Sequence, residues 1–101
     1  MYSRKKQLQD CRLYLILDTD VNTYHELFEI TKLAVRSGVD IVQLRDKKGT
    51  ARDIVRFSKE ILKITRRKVP YIMNDRVDLA KAVSADGVHL GQEDLSVDFA
   101  R

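Results

Sequence analysis

The chain has 101 residues, of which 44% are hydrophobic and 34% are charged, and its formal net charge is +4. This composition is typical of a globular domain and excludes a disordered chain. The longest apolar run, 13–17, has only five residues and is too short to cross a bilayer. We therefore expect a single domain over residues 1–101, with a polar N-terminal lead-in over 1–10.

Cysteine content and charge indicate the compartment and the kind of partner. The single cysteine, Cys11, cannot form an internal disulfide, and the start of the chain lacks a signal peptide pattern, so we expect a cytoplasmic protein. The positive net charge favours anionic ligands. Basic residues are scattered and do not alternate with aromatic ones, which favours phosphorylated small molecules over nucleic acid or membrane as partners.

The first part of the chain predicts a strand followed by a helix. The apolar run 13–17 is typical of a parallel strand that is covered on both faces. Asn22 or Thr23 can cap the helix that follows, and Glu26 would complete a capping box with Thr23. Ser37-Gly38 supplies the signal that ends this helix.

The same alternation continues through the rest of the chain. Residues 41–44 predict a second strand, and Thr50 caps a helix with the apolar stripe Ile54, Phe57, Ile61 and Ile64. Strands at 71–73 and 88–90 enclose a shorter helix, which Ala85-Asp86-Gly87 would end. The βαβαβαβ order requires a parallel sheet with right-handed crossovers, either open or part of a closed barrel.

Polar residues follow three consecutive strands at the point where each strand ends. These residues are Gln43, Arg45 and Lys47, then Asn74 and Asp75, then Gln92, Glu93 and Asp94. In a parallel sheet they meet at one rim, where α/β folds bind their ligands. Arginine and lysine bind phosphate oxygens and carboxylates bind Mg²⁺, so the rim predicts a magnesium-bound diphosphate with Asp75 and Asp94 as the metal ligands.

Each of these residues also has a simpler explanation. Asp75 could cap the helix that begins near Arg76, and Arg45 and Asp46 could form an ordinary exposed pair. His89 lies within a strand and is expected to pack in the core. Its side chain should lie on the opposite face of the strand from the side chains of the residues on either side of it. What favours the ligand site is the coincidence of three rim positions whose chemistry suits one ligand.

Four segments carry a resemblance to a known family: 13–16 (LYLI), 38–47 (GVDIVQLRDK), 74–80 (NDRVDLA) and 85–95 (ADGVHLGQEDL). They resemble the thiamine phosphate synthase family, which includes the thiazole tautomerases. The resemblance implies a TIM (β/α)₈ barrel, of which this chain supplies about four βα units, or half a barrel. It also implies a Mg²⁺-dependent transferase that joins hydroxymethylpyrimidine diphosphate to thiazole phosphate, giving thiamine phosphate and diphosphate.

The resemblance further implies roles for particular residues. Those that would bind the pyrimidine diphosphate are Gln43, Leu44, Arg45, Asp46, Lys47 and Asn74. Asp75 and Asp94 would be the magnesium ligands. Arg45 and Lys47 would be catalytic, because they would stabilise the charge of the departing diphosphate.

Family barrels are about twice as long as this chain, in line with the ~200 residues that a small barrel needs. We therefore expect a truncated domain that ends as a fourth helix begins near Ser96 and has little activity alone. Strands one and four would be unpaired edges, and the inner face of the sheet would be exposed to water. We therefore predict self-association or pairing with a second half barrel. The alternatives are a non-catalytic half-barrel module that binds a phosphorylated ligand or a partner, and a thiazole tautomerase-like protein.

Overall fold

The computed structural model describes residues 13–66 and 68–90, together with the backbone of residues 97–99. Strands and helices alternate in the order β1 (Tyr14–Asp18), α1 (Tyr24–Arg36), β2 (Ile41–Arg45), α2 (Ala51–Thr65), β3 (Tyr71–Asn74), α3 (Val77–Val83), β4 (Gly87–His89) and β5 (Val97–Phe99). The predicted βαβαβαβ order is confirmed, and the ends of the four predicted strands agree to within one residue. The predicted lead-in over 1–10 lies outside the described residues.

The first four strands are consecutive parallel neighbours in one sheet. Asp18 at the end of β1 is in register with Arg45 at the end of β2, and Asn74 at the end of β3 is in register with His89 in β4. The carboxyl ends of β1 to β4 therefore form one rim, as the sequence predicts for half of a TIM-barrel-like α/β fold.

The helices cover one face of this sheet. Their buried residues pack against the strand residues Leu17, Val42, Leu44, Tyr71, Met73 and Val88. In α2 the predicted residues Ile54, Phe57 and Ile61 are buried, whereas Ile64 is only half-buried. Within the described part of the chain, none of the helices combines the length and apolar character that crossing a membrane requires. Because side chains alternate along a strand, Gln43 and Arg45 lie on the opposite face of β2 from Val42 and Leu44.

Local capping follows the sequence closely at two helices. Thr23 and Glu26 form both hydrogen bonds of the predicted capping box, and the Thr50 hydroxyl accepts from the Asp53 amide at 3.1 Å. Helix α3 ends differently from the prediction, because it stops at Val83 and Ser84 adopts a left-handed conformation with φ 59°. The stop therefore comes one residue before the predicted Ala85-Asp86-Gly87 signal.

Two expectations about the sheet edges are wrong. Strand β1 is not covered on both faces, because Tyr14 and Ile16 point away from the helices and are 42% and 49% exposed. Strand β4 is not an edge, because β5 pairs with it antiparallel, with His89 opposite Val97. Residues 97–99 thus form a strand where the sequence predicted the beginning of a helix.

Candidate functional site

A cavity of about 370 Å³ opens on the inner face of the sheet at its carboxyl-end rim. Its lining residues are Ile16, Gln43, Arg45, Lys47, Asn74, Asp75 and His89, and we call this cavity the rim pocket. Five of the predicted site residues are therefore brought together. They meet because β2 and β3 are parallel neighbours and because their polar residues follow the strand ends.

Two residues of the predicted substrate-binding segment have side chains on the other face of the sheet. Leu44 is 1% exposed and packs in the core beneath the helices. The carboxylate of Asp46 accepts hydrogen bonds from the hydroxyls of Thr19 and Tyr24, which lie in the loop after β1 and in α1. Neither side chain is among those that line the rim pocket.

Arg45 is held by a residue that sequence reasoning did not single out, Asp18 at the end of β1. Its Nη1 lies 3.2 Å from Oδ2 of Asp18 and 3.9 Å from Oδ2 of Asp20. The simpler explanation of an exposed Arg45–Asp46 pair is therefore wrong. The available signal was that Asp18 directly follows the first predicted strand, as Arg45 follows the second, which would place the two side by side at the rim.

Gln43 is oriented by a second residue that sequence reasoning missed. The Tyr14 hydroxyl donates a hydrogen bond of 2.6 Å to Oε1 of Gln43, which is only 4% exposed. Because the amide oxygen accepts this bond, the amide nitrogen of Gln43 is available to donate. Successive side chains of a strand point to opposite faces, so Tyr14 and Ile16 share one face of the first strand. That pattern could have identified Tyr14 as an inner-face residue.

Asp75 does not have the capping role that its simpler explanation required. The N-cap of α3 is Arg76, not Asp75, and the Arg76 side chain forms no cap hydrogen bond. Asp75 has φ 62°, in the left-handed region that few non-glycine residues adopt, and its amide donates to the His89 carbonyl at 2.9 Å. Such conformations cluster at functional sites. The exposed Asp75 side chain lies at the rim pocket.

His89 is half-buried and lines the rim pocket, so its expected place in the core is wrong. Its side chain does lie on the opposite face of the strand from that of Val88, as predicted. Val88 is buried against the helices, and alternation therefore directs His89 to the inner face.

The predicted metal ligands are described only in part. Asp75 lies at the rim pocket, whereas Gln92, Glu93 and Asp94 lie outside the described residues. Across residues 13–66 and 68–90, no group of three His, Cys, Asp or Glu side chains could hold a metal ion. Mg²⁺ often takes only one or two protein carboxylates and completes its octahedron with water and phosphate oxygens, so the hard oxygens of Asp75 suit this ion.

Burial and hydrogen bonding act in opposite directions on Asp46. Burial alone would raise the pKa of this carboxyl, but hydrogen bonds from Tyr24, Gly49, Thr19 and Lys48 together hold its pKa below the usual range. Burial and the contact with Asp46 both raise the pKa of the Tyr24 hydroxyl. Near neutral pH Asp46 is therefore a charged acceptor, and the Tyr24 hydroxyl is its neutral donor.

Parallel βα units whose polar side chains gather at the carboxyl-end rim are consistent with half of a TIM-barrel-like α/β fold. The family model described as thiamine monophosphate synthase matches residues 13–101. The chain belongs to this family, whose members have the TIM-barrel fold.

Three curated relatives show the extent of the similarity. The chain is 46% identical over 94 residues to thiamine-phosphate synthase of Natronomonas pharaonis, covering 92% of this chain and 44% of the relative. Identity to the Clostridium tetani enzyme is 40% over 93 residues, or 91% and 44% of the two chains. Identity to the Prochlorococcus marinus enzyme is 44% over 101 residues, or 97% and 28%. The chain thus spans less than half the length of these relatives.

Proposed function

We propose that this protein carries thiamine-phosphate synthase chemistry, a transferase reaction that joins hydroxymethylpyrimidine diphosphate to thiazole phosphate. The products are thiamine phosphate and diphosphate. The name of the relatives, at 40–46% identity, supports this proposal. The observation that carries it is the rim pocket, where two cations, two amides and a carboxylate from successive strands line one cavity.

The two cations act by electrostatics in this proposal. When the carbon–oxygen bond to diphosphate breaks, the leaving group takes the electron pair, and negative charge grows on its bridging oxygen. Arg45 and Lys47 both line the rim pocket, where their positive charges can stabilise that charge. Fixed donors aimed at a developing charge contribute a factor of about 10²–10³ each in known enzymes.

The amides orient the substrate. The Tyr14 hydroxyl donates a hydrogen bond to Oε1 of Gln43, so the amide nitrogen of Gln43 can donate to the ligand. Asn74 follows in the next strand and lines the same cavity. Donors from two neighbouring strands can fix a bound diphosphate relative to the two cations, which is the positioning that the reaction needs.

Asp75 and Asp94 are the carboxylates that we propose to hold Mg²⁺. When bound, this ion would neutralise charge on the diphosphate. The exposed position of Asp75 at the rim pocket and its left-handed backbone conformation, with φ 62°, support this role.

Isothermal titration calorimetry with the pyrimidine diphosphate and Mg²⁺ tests the binding part of this proposal. We expect wild-type protein to bind in a Mg²⁺-dependent manner and Asp75→Asn to weaken binding at least about tenfold, since a charged metal ligand becomes neutral. Asparagine tolerates a left-handed conformation, so the fold should persist. The matched control is Asp78→Asn, which removes an exposed charge from α3. Equal affinity in Asp75→Asn and wild type would contradict the metal assignment.

An assay for thiamine phosphate separates an enzyme from a binding module. Product formation, lost in Arg45→Gln, supports the transferase. Binding without product supports the non-catalytic module that the sequence analysis kept as an alternative. The thiazole tautomerase-like alternative and the cytoplasmic location stay predictions.

We also propose that the inner face of β1 is covered by another polypeptide, most simply a second copy of this chain. Tyr14 and Ile16 are 42% and 49% exposed, and these large side chains adjoin one another on the inner face of the edge strand. Apolar surface of this kind is stabilised by burial at about 25 cal/mol per Å². Sedimentation velocity should show a dimer at micromolar concentration, and Ile16→Lys should shift it toward monomer. A well-folded wild-type monomer would contradict the proposal.

A further inference from the structure

The carboxylate of Asp46 is the centre of a hydrogen-bond cluster on the helix side of the rim. The residue is 9% exposed. Its Oδ1 accepts from the Thr19 hydroxyl at 2.9 Å, from the Lys48 amide at 3.2 Å and from the Gly49 amide at 2.7 Å. The Tyr24 hydroxyl donates to its Oδ2. Every one of these partners is a protein group.

This cluster joins three separate parts of the chain. Thr19 lies in the loop after β1, and Tyr24 begins α1 and stacks on Phe57 of α2 with ring centroids 4.8 Å apart. The remaining donors are backbone amides of residues 48–49, between β2 and α2. We call residues 46–49 the β2–α2 loop. The hydrogen bonds therefore tie this loop to elements more than 20 residues away in sequence.

The packing around the loop is tight enough to require glycine. A Cβ atom added to Gly49 would overlap the Tyr24 hydroxyl and would lie 2.5 Å from Oδ2 of Asp46. Real Cβ atoms do not approach other atoms so closely, so a side chain at this position would push the loop away from Asp46. The Tyr24 hydroxyl and the Asp46 carboxylate are therefore packed directly against Gly49.

Lys47 lies inside this loop, between residues that the cluster fixes. Its side chain lines the rim pocket on the opposite face from the Asp46 carboxylate. No acid among the described residues forms an ion pair with Lys47. The position of its backbone, and not a side-chain partner, therefore determines where its ammonium group can reach.

We propose that Asp46 is a positioning residue that acts through Lys47. Its buried carboxylate, with Tyr24 and Thr19, holds the β2–α2 loop so that Lys47 projects into the rim pocket and meets a phosphate group there. Asp46 itself does not touch the ligand, in contrast to the substrate-binding role that the sequence resemblance implied. This inference rests on the proposed function for its ligand, a diphosphate.

Amide hydrogen exchange tests the loop clamp without any ligand. In wild-type protein the amides of Lys48 and Gly49 should exchange slowly, because both donate to Asp46. Asp46→Asn replaces the charged oxygen that accepts from both amides with a neutral one and should accelerate both amides at least about tenfold, and Tyr24→Phe should have a smaller effect. Glu60→Gln, an exposed change on α2, is the matched control and should leave both rates unchanged. Unchanged exchange in Asp46→Asn overturns the proposal.

A double-mutant cycle then tests whether the clamp acts through Lys47. The probe is inorganic diphosphate with Mg²⁺, measured by calorimetry. We expect Asp46→Asn and Lys47→Met each to weaken binding about tenfold, and the double variant to bind no more weakly than Lys47→Met. Losses that multiply in the double variant would show that Asp46 acts independently of Lys47, and they would overturn the proposal.

Tyr24→Phe keeps the test valid if Asp46→Asn fails to fold. This variant removes one hydrogen bond to Asp46 and leaves the loop amides their acceptor, so its effect on binding should likewise vanish in the Lys47→Met background. Wild-type protein that does not bind diphosphate would overturn the proposed function and this inference together. Binding with unaltered exchange in the variants would overturn this inference alone.

Discussion

Nη1 of Arg45 lies 3.2 Å from Oδ2 of Asp18, where the carboxyl ends of β1 and β2 meet. The cation that we propose to bind a diphosphate therefore already has an anionic partner. Both side chains are partly exposed, at 37% and 25%, so the pair itself contributes little to folding stability. Its consequence is for ligand binding, because an incoming anion has to share Arg45 with Asp18.

Asp18→Asn should strengthen the binding of inorganic diphosphate. Removing a like charge beside the pocket lowers the repulsion that the ligand meets, and we expect affinity to rise about threefold at low salt and the gain to shrink at high salt. Titration calorimetry at two ionic strengths measures both effects.

Asp20→Asn is the control for Asp18→Asn. Asp20 lies 3.9 Å from Arg45 and 3.0 Å from Lys48, and its side chain is 48% exposed, so its removal should matter less. Weaker binding in Asp18→Asn would contradict the prediction. That result would mean that Asp18 chiefly orients Arg45 and that orientation outweighs charge.

Arg45→Gln should weaken diphosphate binding about 10- to 100-fold, because hydrogen bonds to charged groups contribute about 1.5–3 kcal/mol. The dependence of affinity on salt should also decrease, since one fewer cation faces the ligand. Arg52→Gln makes the same charge change at an exposed position of α2 and should have little effect. Equal losses in the two variants would indicate a diffuse effect of net charge and would contradict a specific pocket.

Asp75→Gly should separate stability from binding. Glycine adopts a left-handed conformation without the steric cost of a Cβ atom, which stabilises the folded state. Glycine also gives the unfolded chain more conformational entropy, so the net gain in free energy of unfolding should be about 0.5 kcal/mol. The same variant should lose Mg²⁺-dependent binding of diphosphate. Urea denaturation and calorimetry measure the two effects.

Ser84→Gly is the matched control for Asp75→Gly. Ser84 has φ 59° against 62° for Asp75, but it lies at the C-cap of α3, away from the rim pocket. It should show a similar gain in stability with no loss of binding. A loss of stability in Asp75→Gly would mean that the carboxylate has a folding role.

Acid should destabilise the wild-type protein partly through Asp46. Its pKa in the folded protein lies below the usual range, since the hydrogen bonds it accepts outweigh the opposing effect of burial. The stabilisation is therefore fully present above the unfolded-state value of about 3.9 and is lost as pH falls through the folded-state pKa. The stability advantage of wild type over Asp46→Asn should be constant near neutral pH and should shrink below about pH 4.

Urea denaturation at a series of pH values checks this dependence. Tyr24→Phe removes one of the hydrogen bonds that lower the pKa of Asp46, so its acid sensitivity should fall between those of wild type and Asp46→Asn. A stability advantage that grows on acidification would contradict the sign of the shift.

The predictable part of the fold rests on interactions within a few residues. The capping box of Thr23 and Glu26 and the cap at Thr50 depend on groups three residues apart, and the buried stripe of α2 depends on helical spacing. The rim was also predictable, because parallel strands end at a common edge. Gln43, Arg45, Lys47, Asn74 and Asp75 follow from that rule alone.

The missed features involve residues that are distant in sequence. Asp18 holds Arg45 from 27 residues away, and Tyr14 orients Gln43 from 29 residues away. The sequence placed Asp46 beside Arg45 and suggested that the two would pair. Strand alternation instead turns Asp46 toward the helices, where Thr19 and Tyr24 meet it.

The sequence by itself determined the alternation of strands and helices, the caps, and the rim on which the polar residues lie, because period and capping are properties of neighbouring residues. Only the tertiary structure decided which rim residues face the pocket and which serve as its supports. That choice depends on strand register and on side chains contributed by other elements. A local sequence pattern does not specify strand register or contacts between distant elements, because both form only when the chain folds.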